Sequence, residues 1–240
     1  MNLTPIKISA KNLGQTALAD FCPRCYWIKL KLNFKLPWAS FPGIFSSIDA
    51  YTKKAIHHII DGCNHPAWMC DIGNVVSYEP VPHFSKSKFY DEKSGITLTG
   101  VPDDIWVLSD GTKVLPDFKT AIYSEAQDKL LPMYRIQNNV YSVLIDKSAR
   151  LYLIYMEPDT NKETACNQIT DTGFRMCFNA TVVPVENDLK KVRDALILTR
   201  EIAEMQAPPK GTPDCKECQA LDKVMGVLGM GKVSNAGLEE

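Results

Sequence analysis

The sequence predicts one α/β domain, and three observations carry that expectation. Apolar residues recur at helical spacing near both ends of the chain, the period changes to two from about residue 73 to Lys119, and a helix–strand–strand–helix succession follows. At 240 residues, 45% of them hydrophobic and 23% charged, the chain can bury a large core. A formal net charge of −1 neither suggests a basic coat nor excludes nucleic acid, so any grip on a polyanion must come from a local patch. MNLTPIKISA has no apolar stretch of signal-peptide length, and no run approaches the roughly 20 apolar residues of a membrane span. A soluble, intracellular protein with no membrane partner is expected.

ISAKNLGQTALADFC reads as a helix with Ser9 as N-cap and Leu13, Ala17 and Leu18 on one face. A basic and aromatic stretch, YWIKLKLNFKLPW, follows. FPGIFSSIDAYTKKAIHHII reads as a second helix, with Phe45, Ile48, Tyr51, Thr52, Ala55 and Ile59 as its apolar stripe. NVVSYEP, KSKFYDE, ITLTG, DDIWVLS and TKVLPDF read as successive short strands. SEAQDKLLPMYRIQNNVYSVLI returns to helical spacing, with Pro132 marking its start. ARLYLIYME and GFRMCFNATVVPV read as strands, and ENDLKKVRDALILTREIAEM as an amphipathic helix capped near Asn187. QAPPKGTPDCKECQ reads as a loop. The domain is expected to span 1–219, with 220–240 a flexible tail.

Chemistry concentrates in TGVPDDIWVLSDGTKVLPDFKT, two strands joined by a turn at Ser109-Asp110-Gly111. Asp103, Ile105 and Val107 share one face of the first strand, and Leu115, Asp117 and Lys119 one face of the second. An antiparallel return sets Asp117 beside Asp103, with Lys119 projecting the same way. Two half-buried carboxylates resist joint ionisation, and a hard divalent cation removes that conflict. Alternatively, Asp103 and Asp104 open a strand and Asp117 pairs with Lys119 at a solvated end. Eight cysteines pose a second question, and their spacing answers more than their number. Cys22 and Cys25 form one C-x-x-C, Cys215 and Cys218 another; Cys63, Cys70, Cys166 and Cys177 have no ligand spacing.

Pro102-Asp103 followed by Asp117-Phe118-Lys119 resembles the PD-(D/E)XK nuclease superfamily. Gln137 and Tyr141, with Tyr134 on the same helical face, resemble the Q-x-x-x-Y motif of its RecB-like branch. Paired cysteines bracketing these motifs resemble the iron–sulfur members of that branch, the AddB nuclease domain and the CRISPR-associated exonucleases. The resemblance implies a restriction-endonuclease-like core, a mixed central sheet flanked by helices, whose N- and C-terminal segments are joined by the four-cysteine metal site. It implies a metal-dependent DNA exonuclease of a prokaryotic or viral cytoplasm, acting on single strands or ends in repair, recombination, phage DNA processing or CRISPR adaptation. Helicase or recombination proteins would be its partners. Mg²⁺ or Mn²⁺ would be held by Asp103, Asp117 and the Phe118 backbone carbonyl, Lys119 would position water, and Gln137, Tyr141 and Tyr134 would contact DNA. Cys22, Cys25, Cys215 and Cys218 would hold a 4Fe–4S cluster. The family has one N-terminal cysteine and three near the C-terminus; here the split is two and two, and four thiolates also suit Zn²⁺. The family's early-helix histidine is missing after Gly43, and Asp49 is its best substitute; without one, an inactive DNA-binding subunit is the alternative. Lys29, Lys31, Lys35, Lys53, Lys54, Arg135 and Arg150 are candidate phosphate contacts.

Overall fold

The structure, a computed structural model, describes residues 5–35, 42–124 and 128–229. Strand β1 (Ile6–Ser9) leads into helix α1 (Ala10–Gly14), where Ser9 Oγ accepts the Asn12 N–H at 3.2 Å as the expected N-cap. The helix is shorter than its apolar spacing suggests, passing into a 3₁₀ turn at Gln15–Ala17. Pro23 opens α2 (Pro23–Lys31), and α3 runs from Ile44 to Asp61. Next come β2 (Val75–Tyr78), β3 (Lys88–Asp91), β4 (Ile96–Thr99), β5 (Trp106–Leu108) and β6 (Lys113–Lys119), within the segments read as strands except that β6 runs one residue further. Helix α4 (Leu131–Leu144) starts one residue before Pro132, which sits in its first turn as expected, and β7 covers Arg150–Pro158. The short α5 (Lys162–Asn167), β8 (Ile169–Thr170) and β9 (Gly173–Phe174) precede β10 (Phe178–Val185). Helix α6 (Leu189–Glu204) is capped by Asp188, one residue beyond the expected position, and α7 spans Lys216–Val227.

A five-stranded mixed sheet of order β10-β7-β6-β5-β2 forms the centre, with only β6 and β7 parallel. Helix α4 is the crossover that lets those two strands run parallel. A second sheet, β1-β4-β3, stands beside it. Both faces of the central sheet are covered, which explains six consecutive buried residues, Leu151–Met156, in β7. Leu151, Leu153 and Tyr155 pack with Ile136 and Val140 of α4 and Leu196 of α6, in a core that also takes Ile8, Ile96 and Leu98 from the smaller sheet. Tyr152, Ile154 and Met156 face the other way, onto Trp106 and the α3 residues Ile56 and Ile60.

Three expectations need correction. The stripe expected to bury α3 is off by one face: Ile56 and Ile60 are buried, whereas Tyr51 is 69% exposed and Phe45 41%. The second C-x-x-C is not in a loop, since Cys215 caps α7 and Cys218 lies within it. The segment expected to loosen at 220 continues as helix to Val227. Residues 36–38 of the basic stretch, Phe41, 125–127 and the tail 230–240 lie outside the described residues. No helix among the described residues is long and apolar enough to cross a membrane.

Candidate functional site

The turn after β5 closes as expected: Gly111 N donates to Leu108 O at 2.9 Å and Leu108 N to Thr112 O at 2.9 Å. It pairs Trp106 with Val114 and Val107 with Lys113. Continuing that register past the ladder sets Asp103 opposite Asp117, and the side chains complete the approach: the Phe118 N–H donates to Asp103 Oδ2 at 2.7 Å. Asp117 alternates onto the face covered by α4, where Gln137 Nε2 donates to its Oδ1 at 3.3 Å and to Tyr141 Oη at 2.6 Å. Lys119 forms an ion pair with Asp117, and its Nζ lies 4.1 Å from the Tyr134 ring centroid. Asp103, Asp117, Lys119, Gln137, Tyr141 and Tyr134 are therefore all brought to one place.

Burial sorts these groups. The Asp117 side chain is 2% exposed and that of Asp103 28%, so the pair opens to solvent on the Asp103 side. Gln137 and Tyr141 are buried behind the acids, orienting Asp117, and Tyr134 alone of the three aligned α4 residues is partly exposed. Burial, then the Asp117 charge, pushes the Asp103 carboxyl up to about 7, against the opposing pull of Lys53, the Phe118 N–H and Lys119. Burial likewise raises Asp117, opposed chiefly by Lys119.

Asp49 does not itself reach the acids. Its Oδ2 binds Lys53 Nζ at 2.9 Å, and that ammonium stands 3.9 Å from Asp103 Oδ1. Lys53 is thus the α3 residue that meets the pair; the sequence offers it as one of seven candidate phosphate contacts and as half of an ordinary helical D-x-x-x-K ion pair, with nothing that links it to the acids. Asp104, next to Asp103, has a separate task. Its buried carboxylate accepts from Ile105 N at 3.0 Å and Trp106 Nε1 at 2.8 Å, and it lies 2.7 Å from His57 Nε2. His57 stacks on Tyr78 with centroids 3.7 Å apart. These contacts fix the bend from which Asp103 projects. Two converging carboxylates are oxygen donors of the type a hard divalent cation accepts.

The cysteine pairs also meet. Cys22 Sγ lies 3.5 Å from Cys218 Sγ, and Cys25 Sγ lies 3.3 Å from Cys218 Sγ and 3.7 Å from Cys215 Sγ. All four sulfurs fall within 4.8 Å of one another, the one group of three or more metal-ligating His, Cys, Asp or Glu side chains among the described residues. Arg24 binds Asp222 at 2.8 Å and Lys29 binds Glu217 at 2.8 Å, joining α2 to α7 around them. Burial raises Cys25, and raises Cys218 to about 11. At Cys22 burial is outweighed by N–H donors from Cys25 and Thr212, which bring the thiol down to about 6 and favour a thiolate. The site has the donors to hold a metal ion or an iron–sulfur cluster. Four sulfurs on one tetrahedral ion at ~2.3 Å stand about 3.8 Å apart, close to the shortest separations here, whereas a cluster that gives each thiolate its own iron needs wider spacing.

No family model matches the chain, and no curated protein matches it. Among solved structures, the crystal structure of SSO0001 aligns over 97% of this chain and 87% of that one, at 14% identity and a TM-score of 0.43, too loose a likeness to carry an argument.

Proposed function

We propose that this protein is a metal-dependent DNA nuclease built on a restriction-endonuclease-like core, acting on single strands or ends. The meeting of Asp103, Asp117 and Lys119 at one end of β6 carries this reading. Asp103, Asp117 and the Phe118 carbonyl would hold Mg²⁺ or Mn²⁺, and such a cation supplies Lewis-acid polarisation of a phosphodiester. Asp117 is oriented by Gln137, and Tyr141 holds Gln137 in turn. The Lys119 ammonium, steadied over Tyr134, donates hydrogen bonds that orient the attacking water. Partly exposed Tyr134 offers a ring face to an unpaired base. A helicase or recombination protein would deliver the strand.

Cleavage of a labelled single-stranded oligonucleotide with Mg²⁺ or Mn²⁺ tests the proposal. Asp117→Ala and Lys119→Ala should each lose about 100-fold or more, beyond what supporting residues of metal sites contribute. Full activity in either variant would remove these roles. That two carboxylates and no third meet among the described residues supports the alternative of an inactive DNA-binding subunit, and binding without cutting in either metal would select it. At the cysteines, the resemblance supplies a 4Fe–4S cluster and the sulfur spacing supplies a single zinc. A brown protein rich in iron selects the first, a colourless one with a single zinc the second.

A further inference from the structure

Two ammonium groups stand at the acid pair, and they are held differently. Lys119 is confined between Asp117 and the Tyr134 ring, with 14% of its side chain exposed. Lys53 has 30% exposed; it is hydrogen-bonded to Asp49 at 2.9 Å, but its 3.9 Å separation from Asp103 Oδ1 exceeds a hydrogen bond. Asp103 gives its other oxygen to the Phe118 N–H, so its attachment to Lys53 is electrostatic and readily exchanged. Charge balance bears on what that ammonium does. Asp49, Asp103 and Asp117 bring three negative charges when ionised, and Lys53 and Lys119 bring two positive ones. A divalent cation on the acid pair turns a balance of minus one into plus one, which the single charge of a phosphodiester neutralises. The same cation competes for Asp103 and repels the Lys53 ammonium, which keeps Asp49 as one partner and has donors left for a second anion.

We propose that Lys53 is the substrate anchor of this site. With a cation on the acid pair, its ammonium leaves Asp103 for a non-bridging oxygen of the phosphodiester, while Asp49 holds it from the adjacent helical turn. The inference rests on the nuclease reading above and adds the residue that binds the reacting phosphate. It distinguishes Lys53 from a brace: a brace supports the acids and strengthens metal binding, whereas an anchor opposes the metal's charge and contacts nucleic acid.

The test uses the full chain and a labelled single-stranded oligonucleotide, with binding measured in Ca²⁺ over a series of salt concentrations and cleavage in Mn²⁺. Loss of one phosphate contact on a single strand reduces the slope of log K against log salt by about 0.7. Lys53→Gln should show that reduction, with binding weakened about tenfold and KM raised, and Lys53→Arg should retain the wild-type slope. Calorimetry with Mn²⁺ alone should find affinity in Lys53→Gln equal to wild type or tighter. A wild-type slope in Lys53→Gln, together with weaker Mn²⁺ binding, overturns the anchor and makes Lys53 a brace. If wild type cleaves and only the slope is unmoved, the anchor fails by itself; a wild type that neither binds nor cuts takes the nuclease reading down with it.

Discussion

The carboxylate site and the cysteine site bring charged or polarisable groups together by opposite means. Asp103 meets the β6 backbone across a separation of 15 residues, through the register of one hairpin. Cys25 meets Cys218 across 193 residues, through the closure of the whole chain. The first arrangement is local and electrostatically uncomfortable, a buried and a half-buried acid each raised in pKa. The second is non-local and cohesive, flanked by two interhelical ion pairs. On the proposed reading, the cysteines would hold the fold and the acids would carry a task that costs stability.

The largest expected effect follows from that division. A metal tie closing a loop of this length restrains the unfolded chain by about 5 kcal/mol in the entropic picture. Cys218→Ala should therefore lower the thermal midpoint by roughly 10 °C or more and reduce bound metal per chain. A melt unchanged by this substitution, or by a chelator that strips the metal, would break the contrast by showing that the thiolates tie nothing together.

A smaller effect should appear at the acids, with the sign worked out from Asp103. Its carboxyl titrates near 7 in the folded protein, against about 3.9 in an unfolded chain. Between those values the folded state holds a proton that the unfolded state has released, so stability present at low pH is lost as the pH rises through 7. From pH 5 to 8 without added metal, the loss should be on the order of 2 kcal/mol, or about 5 °C in the midpoint. Asp103→Asn should flatten the profile, and Mn²⁺ should reverse it, since the ion needs the ionised acids. An undiminished slope in Asp103→Asn would place its source elsewhere.

The same locality governs what the sequence discloses. Alternation on two strands and a short turn are enough to put Asp103 opposite Asp117, because hairpin register depends on neighbouring residues. Tyr134, Gln137 and Tyr141 share a helical face by spacing alone, but their burial does not follow from it. Whether that face meets solvent or a sheet depends on β6 and β7, whose pairing is set by α4 and the core. Likewise the α3 period predicts a stripe without saying where the Trp106 cluster begins, so spacing places Tyr51 and Phe45 inside when they lie outside. Lys53 looks like any i+4 partner in the sequence, and only its distance to Asp103 sets it apart. The cysteines are legible for a different reason: C-x-x-C spacing reflects ligand geometry, and needs no knowledge of the intervening chain.

The smallest effects use two glycines with the same clearance. A Cβ on Gly100 would lie 3.0 Å from Tyr141 Cε1 and 3.1 Å from Ala10 Cβ; one on Gly211 would lie 3.0 Å from Cys218 Sγ. Equal crowding should have unequal consequences, because the neighbours lead to different sites. Gly100→Ala presses on the ring that holds Gln137, and through Gln137 on Asp117, so cleavage should fall a few-fold with bound cysteine-site metal unchanged. Gly211→Ala presses on a sulfur, so metal content and thermal midpoint should fall while the rate per metal-loaded chain is retained. Each substitution should cost about 1 kcal/mol or somewhat more, the usual range for small overpacking. The readouts, rather than the size of the loss, separate the regions: if Gly211→Ala slowed cleavage at full metal loading, the two sites would be coupled through the fold.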